Sequence, residues 1–212
     1  MAKVFLTVDD HTVYFISNST RRYAGASDSQ PLMRNQVIGI KLTEKAFYER
    51  QIVFPVPDLF QIAYNGQGDI VGVGEESGIL AYVKAEGSPS SKLQTVQLTE
   101  GYIYRTVDAE AGLVVVNGIK KLEDQTENIQ LIMNREKQII ASNKIFFEGS
   151  HLGKYIHKMK LVVSSDSSIP VIGMISNHYE YPNFYLFALS PDLKLVEVFK
   201  KAPLVASSKF IL

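Results

Sequence analysis

With 212 residues, 46% of them apolar and 21% charged, the chain has enough apolar surface for one sizeable core or two small ones, which excludes disorder throughout. Lys and Arg number 22, Asp and Glu also 22. With no net charge and only isolated basic pairs, Arg21-Arg22 and Lys200-Lys201, general binding to nucleic acid is disfavoured. There is no cysteine, so disulfides, thiol nucleophiles and cysteine-ligated zinc are excluded.

Short runs of Val, Ile, Tyr, Phe and Leu follow one another along the chain, separated by Gly, Asp, Asn, Ser and Pro, which is the pattern of strands and turns. The first unit offers strands at Val4–Thr7, Val13–Ile16, Val37–Ile40 and Ile52–Phe54, with a long polar loop from Ser17 to Asn35. Thr43–Arg50 is the best helical candidate, short enough to be a connecting loop instead. The second unit is the cleanest, with strands at Leu59–Ala63, Ile70–Val73, Ile79–Val83 and Leu93–Gln97 joined by tight, Gly-rich turns. The third supplies Tyr102–Val107, Leu113–Val116, Ile129–Met133 and Ile139–Ala141. The fourth supplies Met159–Val163, Val171–Met174, Phe184–Leu189 and Leu195–Val198.

Each unit has a small-residue turn followed at once by a β-branched or aromatic burst: Asp9-Asp10-His11 before Val13, Asn65–Asp69 before Ile70, Asp108–Gly112 before Leu113, and Ser164–Ser168 before Ile169. A spacing of roughly 40–60 residues is the signature of stacked supersecondary units. Leu113-Val114-Val115-Val116 reads as a strand buried on both faces, whereas Leu93–Gln97 is polar enough for an outer edge. The expectation is an all-β chain forming one propeller-like domain of about four four-stranded antiparallel blades, approximately 3–57, 58–100, 101–150 and 155–203. Two packed sheets, or part of a larger propeller, are the alternatives. Phe210-Ile211-Leu212 is expected to supply a strand that closes the ring, or else to open a fifth blade.

Leu59 to Lys84, with its strand, Asn-Gly-x-Gly-Asp, Ile-Val-Gly-Val-Gly, Glu-Glu-Ser-Gly and strand, resembles the core of a WD40-type β-propeller blade. Leu186–Leu195, a strand, a Ser-Pro-Asp turn and a strand, is similar. The chain has no Trp and hence no Trp-Asp signature, so the resemblance is to propeller blades in general.

Motifs for chemistry are scarce. His11, His151, His157 and His178 have no zinc-ligand spacing. Asp9-Asp10 and Glu75-Glu76 sit at predicted turns, where Asp caps its own backbone, and adjacent carboxylates do not span a catalytic cleft. Gly66, Gly68, Gly72, Gly74 and Gly78 fit neither the dinucleotide fingerprint nor a P-loop. No Gly-x-Ser-x-Gly elbow occurs. No catalytic, cofactor or metal residue is therefore assigned.

Two segments suit contact with a protein partner or with another copy. One is the aromatic stretch around Tyr179, Tyr181 and Phe184; the other is the long loop with Arg21, Arg22 and Tyr23. The chain reads as a non-enzymatic interaction scaffold. A hydrolase or lactonase-like enzyme with loop Asp and His at a central channel, or a subunit of a larger assembly, is the alternative. No apolar run approaches the length of about eighteen residues that a membrane helix needs, and the N-terminal apolar stretch is too short for a signal peptide; the expected compartment is cytoplasmic, with no membrane partner.

Overall fold

The computed structural model describes residues 5–9, 12–17, 36–42, 47–85, 94–123, 126–147, 155–163, 169–177, 183–192 and 194–201. These residues are all-β and form four antiparallel four-stranded sheets, each built from strands consecutive in the chain. The first sheet holds β1 (Phe5–Asp9), β2 (Thr12–Ser17), β3 (Gln36–Leu42) and β4 (Phe47–Val53). In the second are β5 (Leu59–Tyr64), β6 (Asp69–Gly74), β7 (Ile79–Lys84) and β8 (Gln94–Gln97). The third contains β9 (Ile103–Glu110), β10 (Leu113–Lys121), β11 (Thr126–Met133) and β12 (Ile139–Phe147). β13 (Tyr155–Val162), β14 (Val171–Asn177), β15 (Asn183–Leu189) and β16 (Leu195–Lys201) make the fourth.

Hairpin chemistry explains the local order. Asn65 Oδ1 accepts from the backbone amides of Gln67 (2.8 Å) and Asp69 (3.1 Å), closing the β5–β6 turn on its own side chain. The β9–β10 turn places Ala111 at φ 51° and Gly112 at φ 85°, the paired positive φ of a tight two-residue hairpin. β9 consequently runs on to Glu110, three residues into the stretch read from sequence as turn. Of the helical candidate, Phe47–Arg50 are strand instead, because β4 begins at Phe47 and pairs with β3 from Leu42↔Phe47 to Gln36↔Val53; residues 43–46 lie outside the described residues.

Three apolar seams join the sheets in series. Tyr14, Ile16, Val37 and Ile52 of the first sheet pack with Phe54, Leu59, Ile62, Ile70 and Ala81. Val71, Val73, Leu80 and Tyr82 of the second meet Tyr104, Val107, Val114, Val116, Ile129 and Leu131 of the third. Val115 and Ile132 of the third meet Ile156, Leu161, Ile172, Met174, Tyr185 and Phe187 of the fourth. The middle sheets are thus covered on both faces, which is why β6 and β11 are buried along their whole length. β8 is mostly exposed, as suits an outer strand.

The lead strand of each later sheet makes the joints: β5 packs on β1 and β2, β9 on β5 and β6, and β13 on β9, β10 and β11. The architecture is propeller-like, with blades arranged in series. Among the described residues the sheets do not close into a ring; Phe210-Ile211-Leu212, the segment expected to close it or to open a fifth blade, lie outside them. Among the described residues no helix is long and apolar enough to cross a membrane.

Candidate functional site

The ionisable groups that the fold gathers are engaged with one another. Asp58, just ahead of β5, accepts from the amides of Glu76 (2.6 Å) and Ser77 (2.7 Å) and from Ser77 Oγ (2.7 Å). Burial would raise its pKa, but these hydrogen bonds, those from Ser77 foremost, hold it below the ordinary range. The neighbouring Glu75 pairs with Arg105 of the third sheet at 2.8 Å, and its carbonyl receives the Tyr104 amide at 2.8 Å. Glu75-Glu76 is therefore a turn latched to two sheets.

A second group lies where β11 begins. Tyr102 donates its hydroxyl to Glu127, and Lys144 lies 2.7 Å from the same carboxylate oxygen. Lys144 and Tyr102 hold Glu127 below its usual range, while burial and the bond to Glu127 push Tyr102 up. A third group surrounds the buried Asp69, which Lys84 meets at 2.7 Å and Lys137 at 3.7 Å. Lys137 also lies 4.5 Å from the ring centre of Tyr82, whose hydroxyl is pushed up by burial and by Asp69. The carboxylates of Asp58 and Glu127 stay ionised and the phenols of Tyr102 and Tyr82 stay protonated at neutral pH. None of these four is poised to exchange a proton near pH 7.

Among the described residues no group of three or more His, Cys, Asp or Glu side chains is arranged to hold a metal ion. His11, His151 and His178 lie outside the described residues, and so do Arg21, Arg22, Tyr23, Tyr179 and Tyr181. Phe184 is described. It is the second residue of β15, opposite Ile175 of β14, and 38% exposed.

Phe184 belongs to a larger feature that the sequence reading missed. On the fourth sheet, alternate residues Met159, Leu161, Ile172, Met174, Tyr185 and Phe187 face the third sheet. The remaining positions therefore form the opposite face. Across it, Val162, Val171, Ala188 and Val196 stand opposite one another on all four strands. Gly173 and Leu186 form the next row, then Ile175 and Phe184. Val162 is 48% and Val196 51% exposed, so an apolar band crosses the sheet in water. Lys158 and Lys160, both exposed, lie at its β13 edge. The available signal was the unbroken apolar run of β14 (Val171–Ile175) and β15 (Phe184–Leu189): neither run has a polar side. This band is the candidate interaction face.

No protein-family model matches the chain, and no curated protein matches it in sequence. The likeness to WD40-type blades is accordingly one of architecture. Solved structures do match. An acylaminoacyl peptidase from Pyrococcus horikoshii, in an orthorhombic crystal form, aligns with a TM-score of 0.53 at 10% identity, over 94% of this chain and 32% of its own. An acylaminoacyl peptidase in complex with Z-Gly-Gly-Phe-chloromethyl ketone aligns at 0.52 and 11%, over 94% and 32%. The β-propeller domain of the trilobed protease from Pyrococcus furiosus aligns at 0.48 and 11%, over 94% and 57%. The chain spans about a third of the length of the peptidases it matches. At such identities the likeness is one of fold: this is an all-β, propeller-like chain.

Proposed function

We propose that the chain is a non-enzymatic interaction module, and that the apolar outer face of its fourth sheet packs against the outer face of the first sheet of a second copy. The apolar row Val162–Val171–Ala188–Val196, half in water at both ends, is the observation that carries this reading. Such rows mark contact surfaces rather than ordinary solvated faces. The continuity of the fold supports the choice of occupant. Each seam within the chain sets one apolar sheet face against the next, and the fourth sheet offers the same chemistry once more. At the other end of the series, Val13 and Ile40 stand opposite each other, with Ile38 beside them, on the face of the first sheet turned from the second. Two different faces meeting make a head-to-tail contact, which closes into a small ring or continues as a chain of subunits.

Tyr179 and Tyr181, in the connection between β14 and β15, are proposed to extend this contact, and Arg21, Arg22 and Tyr23 to flank its counterpart on the first sheet. Light scattering and sedimentation over a range of concentrations test the reading. The native chain is expected to run as a dimer or larger, and the double variant Val162→Glu, Val196→Glu as a monomer with the same circular dichroism. Tyr181→Ala is expected to weaken association. A native chain that stays monomeric at all concentrations sinks the proposal.

The hydrolytic alternative would need an Asp and a His converging at one mouth of the body. Three of the four histidines, His11, His151 and His178, lie outside the described residues.

A further inference from the structure

The seam between the third and fourth sheets differs from the other two. On the third-sheet face that carries Val115 and Ile132, the next row reads Thr106, Asn117, Gln130, Asn143, one polar residue from each strand in direct register. Thr106 is 1% exposed, and Asn117 and Gln130 are 0% exposed. Val115, Ile132 and Ala141 lie on one side of the row, and Ile119, the buried Asn128 and Ile145 on the other, where Asn128 Oδ1 accepts from the Ile156 amide of the fourth sheet at 3.3 Å. Both flanking rows help to cover the fourth sheet, through Val115, Ile132, Ala141 and Ile145.

Asn143 Oδ1 accepts from the amide of Leu195 in the fourth sheet at 3.4 Å. Gln130 Nε2 donates to Asn117 Oδ1. Three atoms of the row then have no hydrogen-bond partner: Thr106 Oγ1, Asn117 Nδ2 and Gln130 Oε1. Turning both amides end over end reverses their mutual bond and leaves one donor and one acceptor still unmet. Buried amides and hydroxyls in this condition are strongly disfavoured, and folded proteins meet them with protein groups or ordered water.

We propose that this seam holds one buried water molecule that binds all three atoms. It accepts from Asn117 Nδ2 and donates to Gln130 Oε1 and Thr106 Oγ1, about the three bonds that a buried water typically makes. An ion does not suit the row: its four side chains are neutral, and a buried charge would lack compensation. Asn117 occupies the strand between Thr106 and Gln130, so a molecule seated over it reaches both neighbours. The proposal is independent of self-association, because the third and fourth sheets meet within one chain.

A crystal structure of the intact chain at high resolution, together with water relaxation dispersion in solution, tests it. The density is expected to show one peak within about 3.2 Å of all three atoms. The triple variant Thr106→Val, Asn117→Leu, Gln130→Leu is expected to lose the dispersion amplitude of one long-lived water while keeping its β-sheet spectrum. A dry seam in the density, with the amides rotated onto protein groups, overturns the assignment. So does unchanged dispersion in the folded triple variant. Should the triple variant not fold, Thr106→Val alone removes one of the three bonds and shortens the water's residence time; an unaltered residence time overturns the proposal equally.

Discussion

Glu127 shows how this chain uses its charges. Its carboxylate is almost wholly removed from water, yet Tyr102 donates to it and Lys144 reaches it from β12 at 2.7 Å. The native pKa is lowered, by Lys144 first and Tyr102 second. A carboxylate whose native pKa lies below its unfolded value adds stability above the ordinary glutamate range and loses it as the pH falls through the native value. The melting temperature of the native chain is therefore expected to fall more steeply than that of Glu127→Gln between about pH 6 and about pH 3. Parallel curves in a thermal titration would show that the pairing carries no linkage. The alkaline side has its own residue: burial pushes Tyr104 up from 10.0 to about 12. Its phenol stays protonated in the fold after the unfolded chain would ionise, so stability declines as the pH climbs from the first value to the second.

Individual strands owe their boundaries to turn chemistry. Asp58 gathers three donors from the β6–β7 turn across the start of β5, and the preceding residue of the turn, Glu75, ties the second sheet to Arg105. Asp58→Ala removes a charged acceptor and leaves two turn amides to find water, a loss of about 1.5–3 kcal/mol. Urea unfolding followed by circular dichroism measures it; an unchanged midpoint would mean that the turn holds itself. Gly72, in the middle of β6, shows a tighter constraint. A Cβ there would come within 2.6 Å of both Leu59 Cδ1 and Phe54 Cε1, so the close approach of β5 and β6 to the preceding segment depends on the missing side chain. The Gly run, which fits no phosphate loop, is thus accounted for by close packing at Gly72 and Gly74 and by positive φ at Gly66, Gly68 and Gly78.

The whole molecule behaves as a series of like units, each packed on its neighbours. Two sheets are covered on both faces and two on one, so local stability is expected to be highest in the middle. Amide exchange followed by NMR or mass spectrometry should find β10 and β11 exchanging most slowly, with β16 and the exposed strand β8 exchanging faster. Uniform protection across all four sheets would mean one cooperative block instead. Self-association through the outer face of the fourth sheet would raise protection there with concentration, and the Val162→Glu, Val196→Glu pair would abolish that rise.

The residues by themselves determined the strands, their grouping in fours and the gradient from buried to wet strands. These follow from local steric preference, alternation and turn residues, which act over a few positions. Strand ends were read too short at Ile139–Phe147 and Leu113–Lys121 because polar residues such as Asn117 and Asn143 look like turn formers until their buried register is known. The open order of the sheets, the band from Val162 to Val196, and the row from Thr106 to Asn143 were decided only in three dimensions. Each depends on residues tens of positions apart meeting across a sheet or a seam, and no short-range pattern carries that information.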